Sequence, residues 1–208
     1  MKDKRIAILE AAEQLFADKG FNGTSVRDIA QHAGVNPAMI SYYFGSKEKL
    51  LVALIAHRSG YTYDILEELN KNGRLSPWEK MERLIDLYVD RVVNNDKFHS
   101  IVTMHLPAMA SNDIREMITD IKLKNFGQIK KIIAEGQKLK VFRKVDMALT
   151  VGCIMGTLTQ VTLSRNLYCR LLHVNIHDEA TYRKKMIPKI KAHLKALLKA
   201  HLDIKDQH

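Results

Sequence analysis

Residues Thr24–Leu51 read TSVRDIAQHAGVNPAMISYYFGSKEKLL, and the rest of the chain is organised around them. Thr24 and Ser25 are hydroxyl residues suited to capping a helix, and Asp28 lies three places beyond Ser25, close to a capping-box pattern. Val26, Ile29, Ala30 and Ala33 then recur at helical spacing and give one short apolar face. Gly34 stands where a helix commonly ends in a left-handed residue. Asn36-Pro37 follows, a capping residue and then a proline whose missing N–H costs nothing in a first turn. A second short helix runs from there to about Phe44, Gly45 breaks it, and Ser46 caps a third. Two short helices joined by a glycine-containing turn make a helix-turn-helix over about residues 25–44, whose second helix fits a DNA major groove.

The second helix offers residues suited to that groove. Asn36, Ala38, Met39, Ser41, Tyr42 and Tyr43 combine small residues, hydroxyls and long side chains, and hydroxyls donate to phosphate oxygens. Ile40 and Phe44, four apart, are the expected buried anchors. Thr24, Ser25 and Arg27 at the start of the first helix complete the expected DNA-facing set. Lys47 joins them, because its ammonium and the open N–H groups of a first helical turn suit a phosphate.

These pieces carry a resemblance. TSVRDIA, AGV and ISYYFGSKEKLL, preceded by ILEAAEQLFADKGF at Ile8–Phe21, resemble the DNA-binding signature of the TetR (tetracycline-repressor) family of one-component regulators. Ser41 departs from the pattern, since many members carry another tyrosine there. EGQKLKVFRKVD at Glu135–Asp146 is similar to the stretch in which members turn from a long helix into the first dimerisation helix. The resemblance implies a homodimeric repressor that leaves a pseudo-palindromic operator when a small apolar molecule binds its C-terminal domain.

Charge alone does not carry that conclusion. The chain has 208 residues and a formal charge of +10. Residues 1–49 are nearly balanced, with seven Lys/Arg against six Asp/Glu, whereas residues 120–145 hold eight against two. The excess lies outside the helix-turn-helix, so the local arrangement of donors is the evidence for nucleic acid. Lys2, Lys4 and Arg5 form either a phosphate-touching arm or a solvated terminus. Cys153 and Cys169, in a chain too long to depend on a staple, read as reduced thiols of a cytoplasmic protein. No secretory core follows the charged start, and no run of about 18 uncharged apolar residues suggests a membrane span.

Helical periodicity is continuous and strand signals are scarce, so the fold class is all-α. A helix-turn-helix domain is expected over 1–47 and a helical effector-binding and dimerisation domain over 48–208. The first helix spans Lys4 to Lys19, with Ile8, Ala12 and Leu15 on one face. The helix begun at Ser46 runs to about Leu69 and forms the lever between the two domains. Ser76-Pro77 opens an amphipathic helix, Asp113 to about Lys138 is a long one, and Asp146 caps an apolar helix reaching about Arg165. Ala180–Leu202 places Met186, Ile190, Leu194, Leu197 and Leu198 on one side, with Pro188 a kink or the true start. The helices at about 147–165 and 180–202 are suited to pairing with their copies in a four-helix bundle.

No nucleotide loop, catalytic acid pair or nucleophile elbow occurs, so neither enzymatic activity nor a cofactor is expected. The candidate effector lining is Met104, His105 and Met109 in a methionine-rich stretch, Phe126 on the long helix, and Thr157 and Gln160 on the apolar one. Polar groups inside a helical domain need partners, and a ligand is one such partner. Cys169, His173 and His177 are four apart in succession and would share a helical face suited to a soft divalent metal. A metal or thiol sensor, or a DNA-binding regulator driven by a protein partner, is therefore the alternative to a small-molecule effector.

Overall fold

The computed structural model describes residues 3–94, 98–99, 101–105 and 111–204. Among them the chain is all-α. Its helices are α1 (Lys4–Lys19), α2 (Val26–Ala33), α3 (Pro37–Phe44), α4 (Lys47–Lys71), α5 (Pro77–Asn94), α6 (Asn112–Lys138), α7 (Met147–Leu163), α8 (Arg165–Leu171) and α9 (Glu179–Leu202), with a π-helical turn at Ile101–His105. The chain divides into two compact units, Met1–Ile65 with Lys97–Phe126, and Leu66–Asp96 with Gly127–His208. The expected boundary at 47/48 falls at the start of α4, and both α4 and α6 run unbroken from one unit into the other.

In the first unit α1 begins where the Asp3 carboxylate accepts from the Arg5 N–H at 2.9 Å and ends at Gly20, whose φ is +72°. Ile8, Leu9, Ala12 and Phe16 line its inner face and are fully buried. They pack with Ile29 of α2, Ile40 and Phe44 of α3, and Leu50, Leu54 and Ile55 of α4. Burying an aliphatic or aromatic side chain of this kind contributes about 1.5–3 kcal/mol. Ile101, Ile114 and Ile118 belong to the same core, so the unit is completed by residues far along the chain. Arg58 of α4 holds the Glu13 carboxylate of α1 through two N–H donors.

The second unit is built on α5 and α9. Tyr182, Met186, Ile190, Leu194, Leu198 and Leu202 recur every four residues and form one buried row. Leu197 stands outside that row and is partly exposed, against the sequence expectation. Pro188 lies within a continuous helix. Lys191 and Lys195 reach α5 and pair with Asp90 and Asp86 at 2.8 Å. Lys80 is 2 % exposed inside this unit, its ammonium 2.7 Å from the Glu135 carboxylate. Beside it Asn70 donates to the backbone and side-chain oxygens of Gln128, both at 3.0 Å. The apolar helix expected to reach Arg165 stops at Leu163 and bends by 80° into α8.

Candidate nucleic-acid interface

The first short helix starts on a complete capping box. The Asp28 N–H donates to Ser25 Oγ at 3.1 Å, and the Ser25 N–H donates to the Asp28 carboxylate at 2.9 Å. The Ser25 hydroxyl also donates to that carboxylate, and together these bonds hold the Asp28 carboxyl below the usual range. Gly34, with φ +64°, then ends α2, and the Val35 N–H reaches back to the Ala30 carbonyl at 3.0 Å. That left-handed turn aims the chain into α3, where Asn36 caps by accepting from the Ala38 N–H at 2.9 Å.

α3 has eight residues and is therefore about 12 Å long, a length the major groove accommodates. Ile40 and Phe44, one turn apart, are buried and fix its inner side. Asn36, Ala38, Ser41, Tyr42 and Tyr43 are exposed, and Met39 is half-buried. Tyr42 is 83 % exposed, and its ring meets that of Tyr43 edge-on at 5.2 Å between centroids. Arg27 on α2 is exposed as well. The face thus offers hydroxyls, an amide and a guanidinium around small residues, the mixture that both phosphate and base edges call for.

Two expected members turn inward. Thr24 is 1 % exposed, and its hydroxyl donates to the carbonyls of Gly20 at 2.8 Å and Leu15 at 3.1 Å, at the end of α1. Lys47 donates to the carbonyls of Phe21 and Thr24, each at 2.9 Å. Its ammonium is spent on the loop between α1 and α2 rather than offered to phosphate. The first turn of α4 is also occupied by Glu48, whose carboxyl is held below the usual range chiefly by a hydrogen bond from Ser46. Lys49, which the sequence reading passed over, is the exposed cation of that turn, three places beyond the Ser46 hydroxyl that accepts its N–H. At the N-terminus Arg5 lies 5.5 Å from the Phe44 ring centre, Lys4 is exposed, and Lys2 lies outside the described residues.

Half of the expected effector lining falls outside the described residues. Met109 and the side chains of Met104 and His105 lie outside the described residues. Phe126 is half-buried in the first unit, whereas Thr157 and Gln160 belong to the second. On α7 the inner row is Thr150, Ile154, Leu158 and Val161. Thr157 and Gln160 stand off that row and are satisfied within their own segment, Thr157 donating to the Cys153 carbonyl and Gln160 to Ser164 Oγ. A small cleft in the second unit is lined by Val93, Val161, Thr162, Arg165, Tyr182 and Arg183.

The proposed soft-metal face also dissolves. α8 ends at Leu171, so a single helix does not carry Cys169, His173 and His177. Cys169 is buried in the core, and His173 has φ +52°, outside helical geometry. Among the described residues no group of three His, Cys, Asp or Glu is placed to hold a metal ion. No single described helix is long and apolar enough to cross a membrane.

Comparison with known proteins matches the same regions. The family model described as "Bacterial regulatory proteins, tetR family" matches residues 8–54, and "Tetracyclin repressor-like, C-terminal domain" matches residues 74–163. The chain is 31 % identical over 186 residues to the probable HTH-type transcriptional regulator YttP of Bacillus subtilis, covering 88 % of this chain and 86 % of that one. It is 27 % identical over 164 residues to the fatty acid metabolism regulator protein of the same organism, covering 77 % and 84 %. Among solved structures, the transcriptional regulator FadR from B. subtilis in complex with stearoyl-CoA superposes with a TM-score of 0.74 at 21 % identity, over 93 % of this chain and 96 % of that one. At that identity the likeness is one of fold.

Proposed function

The chain belongs to the TetR family of bacterial regulatory proteins, DNA-binding transcriptional regulators, and on that premise we propose that it is a homodimeric repressor acting in the cytoplasm. Each subunit lays the exposed face of α3 in a major groove, and two-fold symmetry makes the operator a pseudo-palindrome. The observation that carries this reading is the split of α3 into a buried pair, Ile40 and Phe44, and an exposed set from Asn36 to Tyr43.

Dimerisation through α7 and α9 is supported by the outward side of α7. Leu149, Gly152, Gly156 and Leu163, at spacings of three, four and seven, are exposed there together with Cys153. A Cβ added to either glycine would meet nothing within 4 Å, so packing inside the subunit does not require them. A glycine inside a helix costs about 1 kcal/mol relative to alanine. Close approach of a second copy's helix is the return that offsets this cost. The exposed Ala192, Ala196 and Ala200 on α9 give the same opportunity.

The effector is proposed to be an amphiphile with a long acyl chain, bound in the C-terminal part of the chain. Support comes from the fatty acid metabolism regulator protein that this chain resembles along most of its length, and from the solved regulator of like fold that holds stearoyl-CoA. Such a ligand releases the operator only if it binds the non-operator state more tightly, and coupling of about 1–3 kcal/mol is usual.

The test is a gel-shift titration of the purified dimer on the DNA upstream of its own reading frame, at fixed salt, with and without stearoyl-CoA. Saturable binding to a palindrome-bearing fragment, released by the thioester but not by free coenzyme A, is the expected result. A chain that stays monomeric and ignores duplex DNA overturns the reading. Release by neither compound removes the acyl effector and leaves the repressor in place.

A further inference from the structure

The end of α6 and the loop after it carry two local costs with no return inside the subunit. At the end of α6 the Val141 N–H reaches back to the Gly136 carbonyl at 2.9 Å and the Lys140 N–H to that of Gln137 at 3.1 Å. In such a helix end the left-handed residue is ordinarily glycine, yet here it is Lys140, at φ +55°. The second cost is exposed apolar surface. Leu139 is 58 % and Ile204 49 % exposed, and Val141 is exposed as well.

The chain geometry gathers these residues. Phe142 pairs antiparallel with Asp203, and the Arg143 N–H donates to the Leu202 carbonyl at 2.9 Å. That register sets Val141 opposite Ile204, while Phe142 turns inward onto Trp78, 4.7 Å between ring centres. Side chains alternate along a strand, so Val141 and Ile204 share the outward side. Lys138, Lys140, Arg143 and Lys144 are exposed around them. Of the carboxylates near in sequence, Glu135 is engaged with Lys80 and Asp146 with the Leu149 N–H at 2.9 Å, while Asp203 stands half-buried between Leu202 and Ile204.

We propose that this tip, Lys138–Lys144 with Ile204, docks the protein onto an anionic lipid bilayer. Cations interleaved with short aliphatic side chains match a surface of phosphate headgroups over acyl chains. Duplex DNA takes aliphatic side chains inside its grooves, at base edges and base steps, whereas a bilayer takes them directly beneath its headgroups. The left-handed lysine keeps a cation at the apex where glycine would relieve the backbone.

The experiment is sedimentation of the full-length protein with phosphatidylcholine vesicles, with and without phosphatidylglycerol. Binding should require phosphatidylglycerol and weaken with salt. Lys138→Glu with Lys144→Glu should weaken it by about tenfold or more, and Val141→Ser with Ile204→Ser should weaken it at unchanged charge. Lys140→Gly should lower vesicle binding while raising thermal stability, which separates the function from the fold. Tyr43→Ala on the reading head should leave it unchanged. Equal binding to both vesicle types, or tip variants that bind like the parent, overturns the proposal. So does a change of sedimenting mass in the tip variants, which would make this face a contact between copies of the chain. Operator binding is read on the same samples and stands apart from either outcome.

Discussion

The ammonium of Lys47 lies 4.3 Å from the centre of the Phe21 ring and donates to the carbonyl oxygen of the same residue at 2.9 Å. One side chain from α4 therefore fixes the loop that leads from α1 into α2. A cation over an aromatic face and two charge-assisted hydrogen bonds act at one point. Lys47→Ala should lower stability by about 1–3 kcal/mol in a thermal or denaturant melt. The salt dependence of operator binding should keep its slope, because a lost phosphate contact would reduce that slope by about 0.9. A shallower slope at unchanged stability would restore Lys47 to the DNA-facing set.

Tyr43 is exposed on α3 while its neighbour Phe44 is buried, so the two can be tested separately. Tyr43→Ala should weaken operator binding about tenfold at fixed salt, the scale of one good hydrogen bond to a charged group. The melting temperature should hardly move. Phe44→Ala should instead cost about 3–5 kcal/mol of stability. Gel-shift and circular dichroism on both variants decide the matter, and an undiminished affinity in Y43A would move the interface elsewhere.

Lys80 and Glu135 are an unequal pair, one buried and one partly open to solvent. Glu135→Ala strands an ammonium in an apolar core and should cost about 3 kcal/mol. Lys80→Met with Glu135→Leu should recover most of that loss, because two apolar side chains carry no desolvation penalty. Urea titrations of the single and double variants measure the difference.

Two glycines should fail in different ways. Gly34→Ala meets no neighbour, and its cost of about 1 kcal/mol comes from φ +64° alone. Gly136→Ala would place a methyl 2.1 Å from the Phe142 ring, and overpacking should cost about 1–3 kcal/mol or more. In G136A the near-ultraviolet signal of Trp78, which meets Phe142 edge to face, should also change. An equal and small loss in both would contradict the packing.

Acid should weaken the fold in two windows. Burial, with Lys122 adding to it, holds His99 below the usual histidine value. The unfolded chain therefore takes up this proton first as pH falls below about 6.5, and the folded state loses stability until its own lower value is passed. Asp28, Glu79 and Asp178 are held low by hydrogen bonds from Ser25, Ser76 and Thr181. Their contribution is complete above the ordinary carboxylate range and is lost as pH falls through their depressed values. Urea midpoints against pH should show both slopes. His99→Gln should flatten the upper one, and Asp28→Asn should reduce the lower.

Much of this was readable in residues that act locally. Asp3, Ser25, Asn36, Ser46 and Asp146 each accept from an N–H two or three places along, so short patterns reveal the starts of α1, α2, α3, α4 and α7. What acts over distance was not readable. Whether a first-turn lysine such as Lys47 faces solvent or a carbonyl 26 residues earlier is settled only by how α1 and α4 cross. The same holds for Lys191 and Lys195, whose partners lie more than a hundred residues back. Ile101, Ile114 and Ile118 give no sign in sequence that they complete the core beneath the reading head. α7 is apolar on most sides, so its sequence does not tell that Thr157 and Gln160 stand off its buried row.

That first core has a consequence for how the protein is made. Its opening segments leave the ribosome early, but Ile114 and Ile118 emerge only once more than half of the chain has been synthesised. Until then the apolar surface that they cover stays open, and a nascent chain with its whole helix-turn-helix already translated still lacks part of its hydrophobic support. Premature termination between α4 and α6 should therefore yield an aggregation-prone fragment rather than a small competing DNA binder, so that abortive translation does not silence the operator.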